Sequence, residues 1–188
     1  KWLPNIQDMD PSNERYIPYY KKIIELDLPL LVHTGNEESF TRTNDRLGDP
    51  ELLRLPLSLG VKVIAAHVAS SGKSDGYENI DRLLAMMDEF PNLYADISSL
   101  TQINKRKNLR KVIGDKRLKG RLLYGTDYPL INTVIVNSIQ YLLNLNLKQL
   151  KGLLMTHNPW DRDVKLKSYL GFSSEVFSLS REFLKISK

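Results

Sequence analysis

Four short apolar runs punctuate the chain: "LPLLVHTG" (28–35), "VKVIAAH" (61–67), "NLYADIS" (92–98) and "RLLYGTD" (121–127). Each is short, β-compatible and bounded by Pro, Gly or Asn, the pattern of a buried strand. Between them the apolar period changes to that of a helix. Ile80, Leu83, Leu84 and Met87 fall at i, i+3, i+4 and i+7 within 76–90. Tyr16, Tyr19, Tyr20, Ile23 and Ile24 form one stripe over 16–26, and Val134, Ile135, Ile139, Leu142 and Leu143 another over 133–147. Two more helices are expected over 158–169 and 174–187, the first with Asn158 as N-cap and Pro159 at its first position. Alternating strands and helices imply a parallel sheet, because parallel neighbours need a crossover. The opening "KWLP" precedes the first helix as the other runs precede theirs, and reads as the tail of a fifth strand.

Five strands are fewer than the eight of a closed (β/α)8 barrel. The pattern therefore predicts an α/β chain, 1–188 as a single domain, that is a C-terminal portion of a larger barrel. The 188 residues are 41% hydrophobic and 26% charged, an ordinary globular balance. No apolar run has the length of a membrane span. The absence of cysteine excludes disulfides, thiolate metal sites and cysteine nucleophiles, and suits a cytoplasmic setting. The net charge of +5 is local: residues 105–121 hold nine Lys/Arg against one Asp, while the remainder has 18 basic and 21 acidic residues. With no aromatic residue to stack on a base, that stretch reads as the solvated face of a helix rather than a nucleic-acid surface.

In α/β folds the chemistry collects at the C-terminal ends of strands. Those ends carry His33, His67 and Asp127. Alternation along a strand groups Leu31 with His33, Val63 and Ala65 with His67, and Leu123 and Gly125 with Asp127. Two imidazoles and a carboxylate are enough to hold a catalytic metal, or a metal with the acid beside it as general base. Asp96 ends a strand too, and reads first as a helix cap or an acceptor for loop amides. His157 reads as a loop residue. "HVASSGKS" matches the end of a phosphate-binding loop at Gly72, Lys73 and Ser74, but His67 stands where that loop needs its first glycine. "ASSGKSDG" is instead expected to be a flexible rim loop, bent at Gly72 and Gly76.

Taken together and in order, "KWLPNIQDMDPS", "LPLLVHTG", "VKVIAAHVA", "NLYADIS", "LLYGTDYP" and "HNPWDRDVKL" resemble the amidohydrolase superfamily, and within it the amidohydrolase-2 group of metal-dependent TIM-barrel hydrolases and decarboxylases. The resemblance covers nearly the whole chain and implies a partial (β/α)8 barrel, strands four to eight with their helices, plus C-terminal helices. It implies that His33 is the fifth-strand metal ligand and that His67 binds a second metal or polarises the substrate carbonyl. Asp127 would bind metal and shuttle the proton of the attacking water. The implied cofactor is a divalent ion, zinc first, manganese or iron next. The implied partner is a small-molecule substrate, with no nucleic acid and no membrane. The family's first-strand His-x-His is absent from these residues. Three outcomes follow: an excerpt of a complete enzyme, an enzyme whose other strands come from another chain, or an inactive assembly module. Homo-oligomers through open sheet edges belong to the last.

Overall fold

The computed structural model describes residues 1–37, 43–102, 105–128 and 139–184. Along the chain run α1 (Pro4–Gln7), α2 (Ile17–Glu25), β1 (Leu30–His33), α3 (Arg54–Ser58), β2 (Val63–Ala66), β3 (Lys73–Ser74), β4 (Tyr77–Glu78), α4 (Asn79–Glu89) and β5 (Leu93–Asp96). There follow α5 (Arg106–Gly114), β6 (Leu122–Leu123), α6 (Leu147–Leu154), α7 (Pro159–Leu170) and α8 (Ser174–Phe183). Contacts group the chain into two compact units. The first is Lys1–Ile97 with Lys116–Leu122; the second is Ser98–Asp115 with Leu123–Lys188.

The four-stranded sheet has the order β1-β2-β5-β6, and the first unit holds β1, β2, β5 and Leu122 of β6. Its pairings β1–β2 and β2–β5 are parallel, as the alternating pattern requires. Trp2 pairs in parallel with Val32 on the other side of β1, donating its N–H to Leu31 O at 2.8 Å and accepting from the His33 N–H at 2.9 Å. "KWLP" is thus a strand tail, as expected.

Register sorts the two faces of the sheet. Leu30, Val63 and Leu93 lie side by side, as do Val32, Ala65 and Ala95, and each is no more than 2% exposed. The expected stripe of α4 is buried with them. Leu31, Ile64 and Tyr94 form a row on the opposite face, with Leu31 and Tyr94 half-buried. That is the face a closed barrel turns inward. The stripe of α2 is only partly core: Tyr20 and Ile23 are buried, whereas Tyr19 and Ile24 are exposed. Tyr16, Tyr19 and Tyr20 all pack on the Trp2 ring, at centroid distances of 5.0, 5.1 and 5.8 Å.

Two expectations need correction. "ASSGKSDG" is more than a flexible loop: β3 and β4 form an antiparallel hairpin around Asp75 (φ 50°) and Gly76 (φ 83°). Asp-Gly is a favoured pair for a two-residue turn with both φ values positive. Gly72-Lys73-Ser74 therefore leads into a hairpin, whereas a phosphate loop leads into a helix. The second correction concerns 133–147. Residues 133–138 lie outside the described residues, Ile139–Asn144 is a 3-10 turn, and the helix beyond it, α6, was not expected.

In the second unit α6 begins with a capping box, the Asn146 side chain accepting from the Gln149 N–H at 2.9 Å and Gln149 accepting from the Asn146 N–H at 2.9 Å. α7 starts as the sequence predicts, Asn158 Oδ1 accepting from the N–H groups of Trp160 and Asp161. On α5, Leu109 and Val112 are buried while Lys107, Arg110 and Lys111 face solvent, the arrangement expected of a basic solvated face. Among the described residues no helix is long and apolar enough to cross a membrane.

Candidate active site

The sequence "HTG" at 33–35 binds the ends of two strands together. His33 closes β1 and is buried. The Thr34 hydroxyl donates to Ala66 O, the last carbonyl of β2, at 2.8 Å. Gly35 has φ +87°, and a Cβ there would lie 2.7 Å from Ser71 O. Only glycine lets the two loops approach so closely. Asn5, buried in α1, reaches the same loop through Nδ2, which donates to Gly35 O and Asp45 Oδ1 at 3.2 Å each.

His67 arrives differently. Register pairs His33 with Ala66, so Ala66 shares the inward face and a straight continuation would send His67 to the other side. The expectation that Val63 and Ala65 lie on the histidines' face is corrected accordingly: they lie on the helix-covered face. The backbone resolves the conflict. His67, Val68 and Ala69 take φ values of 59°, 52° and 47°, one turn of left-handed helix. None of the three is glycine, and left-handed conformation costs an L-residue about 1–2 kcal/mol. The turn is held from both sides. The His67 N–H donates to Asp96 Oδ1 at 3.0 Å, the Ser70 N–H donates to His67 O at 3.0 Å, and Val68 and Ala69 are fully buried.

As a result the two imidazoles meet edge to face, with ring centroids 5.3 Å apart. Each has a carboxylate beyond it. Glu37 Oε2 lies 3.5 Å from His33 Nδ1, and Asp96 Oδ1 lies 4.0 Å from His67 Nδ1. The imidazole side chains are 5% and 4% exposed, so this is a desolvated pair of nitrogen bases backed by acids. Asp96 is an acceptor for a loop amide, as expected, and that amide is His67's own. Thr34 escaped sequence reasoning, and the acids of the 36–50 loop were read only as general pocket-lining or solvated residues, with no part assigned to Glu37 behind His33. Only the placing of Thr34 directly after His33 hinted at its role, and the loop position of Glu37 follows no period.

Asp127 belongs to the second unit, where its φ is 54° and the Ser99 hydroxyl donates to its Oδ2 at 2.5 Å. Ser99 is itself left-handed (φ 56°) and buried, a partner the sequence did not announce. His157 is exposed between α6 and α7, as a loop residue should be.

A family profile described as Amidohydrolase matches residues 2–159. The chain belongs to the amidohydrolase family. Amidohydrolases generally use divalent metal ions. Among solved structures, an uncharacterized TIM-barrel protein from Bordetella bronchiseptica is similar at 16% identity and a TM-score of 0.51, over 87% of this chain and 54% of that one. The likeness shows the fold, a partial TIM barrel, and this amidohydrolase chain spans about half the length of that neighbour. No curated protein sequence matches the chain.

Two imidazoles suit zinc, manganese or iron. Among the described residues, however, no three His, Asp or Glu side chains are grouped closely enough to hold an ion. His33 and His67 thus fit part of a metal site, and the described residues do not complete it.

Proposed function

We propose that this chain carries the second half of the catalytic barrel of a metal-dependent amidohydrolase. Its reaction is hydrolysis of a carbon–heteroatom bond in a small-molecule substrate, or a related non-oxidative decarboxylation. The reading is carried by the meeting of two buried imidazoles, 5.3 Å between centroids, at the ends of neighbouring strands. In this reading His33 and His67 contribute to holding a divalent ion, zinc first and manganese or iron next, and Asp127 is a further ligand. The remaining ligands come from barrel strands outside these residues. When bound, the ion supplies Lewis acidity. The chain's own residues supply the rest. Glu37 and Asp96 orient the imidazoles, as carboxylates behind metal-binding histidines do. Burial keeps bulk water from both rings. Asp127, or His67 for a carbonyl substrate, contacts the reacting groups, and Asp127 takes up and returns the proton. A cysteine-free chain suits the cytoplasm.

The test uses protein from the complete reading frame, expressed with zinc or manganese. Wild type should retain stoichiometric metal, and His33→Ala and His67→Ala should each lower metal affinity by at least about tenfold, the smallest loss usual even for outer-shell changes. Asp127→Asn should bind metal more weakly and lose turnover. Wild-type protein that holds no metal, or histidine variants that hold it unchanged, would end this reading.

The missing third ligand among the described residues favours a second reading for the 188-residue chain alone: a non-catalytic assembly module. It predicts no heat of zinc binding in calorimetry and self-association through the sheet edges.

A further inference from the structure

Behind Asp127 the second unit contains a buried polar cluster that the proposed chemistry does not use. Asp163 and Lys167 lie one turn apart on α7 and are 5% and 1% exposed. Lys167 Nζ donates to Asp163 Oδ2 at 2.7 Å and stands 5.1 Å from the centroid of the Tyr124 ring. Two further groups donate to the same carboxylate: the Tyr124 hydroxyl to Oδ2 at 3.1 Å and the Thr101 hydroxyl to Oδ1 at 3.3 Å. Three donors converging on one buried carboxylate fix its geometry.

The positions of those donors in the chain give the cluster its meaning. Tyr124 precedes Asp127 by three residues, and Thr101 follows Ser99 by two. Ser99 and Asp127 are the two ends of the 2.5 Å hydrogen bond, and both sit in left-handed backbone. Residues in that conformation persist where their surroundings over-determine them. α8 adds a second grip. The Ser180 hydroxyl accepts from the Tyr124 N–H and donates to Tyr124 O, each at 3.1 Å, and Phe177 packs against the Tyr124 ring at 5.6 Å.

We propose that Asp163 is a positioning residue for Asp127: it ties the segment bearing Asp127 to the segment bearing Ser99 through Tyr124 and Thr101, and so holds the serine hydroxyl on the carboxylate. This rests on the role proposed for Asp127. Burial and the neighbouring Asp163 carboxylate push the Tyr124 phenol above its ordinary range, so at neutral pH it stays a donor.

The test reads the Ser99 hydroxyl proton by NMR in the full chain. A hydroxyl held on a carboxylate exchanges slowly enough to be seen, and Ser99→Ala identifies its signal. Tyr124→Phe, which removes one donor to Asp163 and nothing of the ring, should accelerate its exchange about fivefold, the factor for loss of one neutral hydrogen bond. Asp163→Asn should accelerate it further. Leu166→Ala, fully buried on the same helix, is the control: it should lower the melting temperature without changing the exchange. If Asp163→Asn does not fold, Tyr124→Phe and Thr101→Val decide. Unchanged exchange in the tie variants, or equal acceleration by Leu166→Ala, overturns the proposal. Activity in the complete protein separates the two readings. An Asp127→Asn enzyme of normal turnover would refute the role of Asp127, while the exchange data would still report on the tie.

Discussion

Asp96→Ala is the sharpest test of how His67 is delivered. The turn at His67, Val68 and Ala69 stores about 3–6 kcal/mol at about 1–2 kcal/mol per left-handed residue. Against that stand a charge-assisted hydrogen bond from the His67 N–H to Asp96, roughly 1.5–3 kcal/mol, and the burial of Val68, roughly 1.5–3 kcal/mol. The terms nearly balance, so losing the carboxylate should tip the turn. If the turn persists, a buried N–H is left without its acceptor at a cost of about 1–3 kcal/mol. If it unwinds, the strain is released, but the imidazole leaves His33. Either way urea unfolding of Asp96→Ala should show a loss of about 1–3 kcal/mol. Asp96→Asn keeps an amide oxygen to accept the bond and should lose less than half as much. The two escapes are separated by the nuclear Overhauser contact between the rings, which survives only if the turn persists. Two variants within about 0.5 kcal/mol of wild type, the scatter of an inert surface change, would refute the account.

Gly48→Ala should destabilise the chain by more than about 2 kcal/mol, because its Cβ would lie 2.1 Å from the backbone oxygen of Gly35. Gly72→Ala should cost less, about 1–2 kcal/mol for its φ of +74°, since the Asn36 atoms it meets belong to a side chain that can turn away; thermal melts compare the two. Asn146→Ala should cost about 1 kcal/mol through loss of the capping box of α6, measurable in the same melts. Burial raises the phenols of Tyr20 and Tyr124 in the folded state, so the unfolded chain releases these protons first. Their contribution is complete below the unfolded tyrosine pKa of about 10 and should be lost as pH rises beyond it, seen as falling stability in alkaline urea titrations. Absorbance at the tyrosinate band should show the Tyr20 and Tyr124 phenols of the folded chain ionising above the ordinary tyrosine range.

The strands were legible because buried parallel strands need little more than a short apolar run, and all four lie inside such runs; the expected ends fared less well, since β6 stops at Leu123 and Asp127 follows four residues beyond the strand it was expected to close. The stripe of α4 and the Asn158 cap of α7 were equally plain, each being a local pattern with a local cause. What escaped depended on competition between local signals. The Asp75-Gly76 hairpin signal lay inside a stretch that also resembled a phosphate loop. The capping pair Asn146 and Gln149 was hidden by an apolar pattern that ran on from 133, which absorbed the residues where α6 begins. Half of the α2 stripe serves Trp2 rather than the core, and no periodicity distinguishes those two uses of an aromatic face.

The position of His67 was illegible for a different reason. Nothing in His-Val-Ala favours left-handed backbone, and a β-branched valine opposes it. The cause is non-local: Asp96 from the next strand and the buried seats of Val68 and Ala69 impose the conformation. Alternation fixes why it is needed. With His33 in register with Ala66, the next residue of a regular strand must face the helices. Glycine at 67 would adopt the turn without strain but carries no imidazole. Moving the histidine to 66 would place it directly beside His33 on a rigid strand, where Ala66 leaves almost no free surface. A strained turn after the strand is the solution that keeps both the sheet register and two facing rings, and it makes Asp96 as necessary to the pair as the histidines.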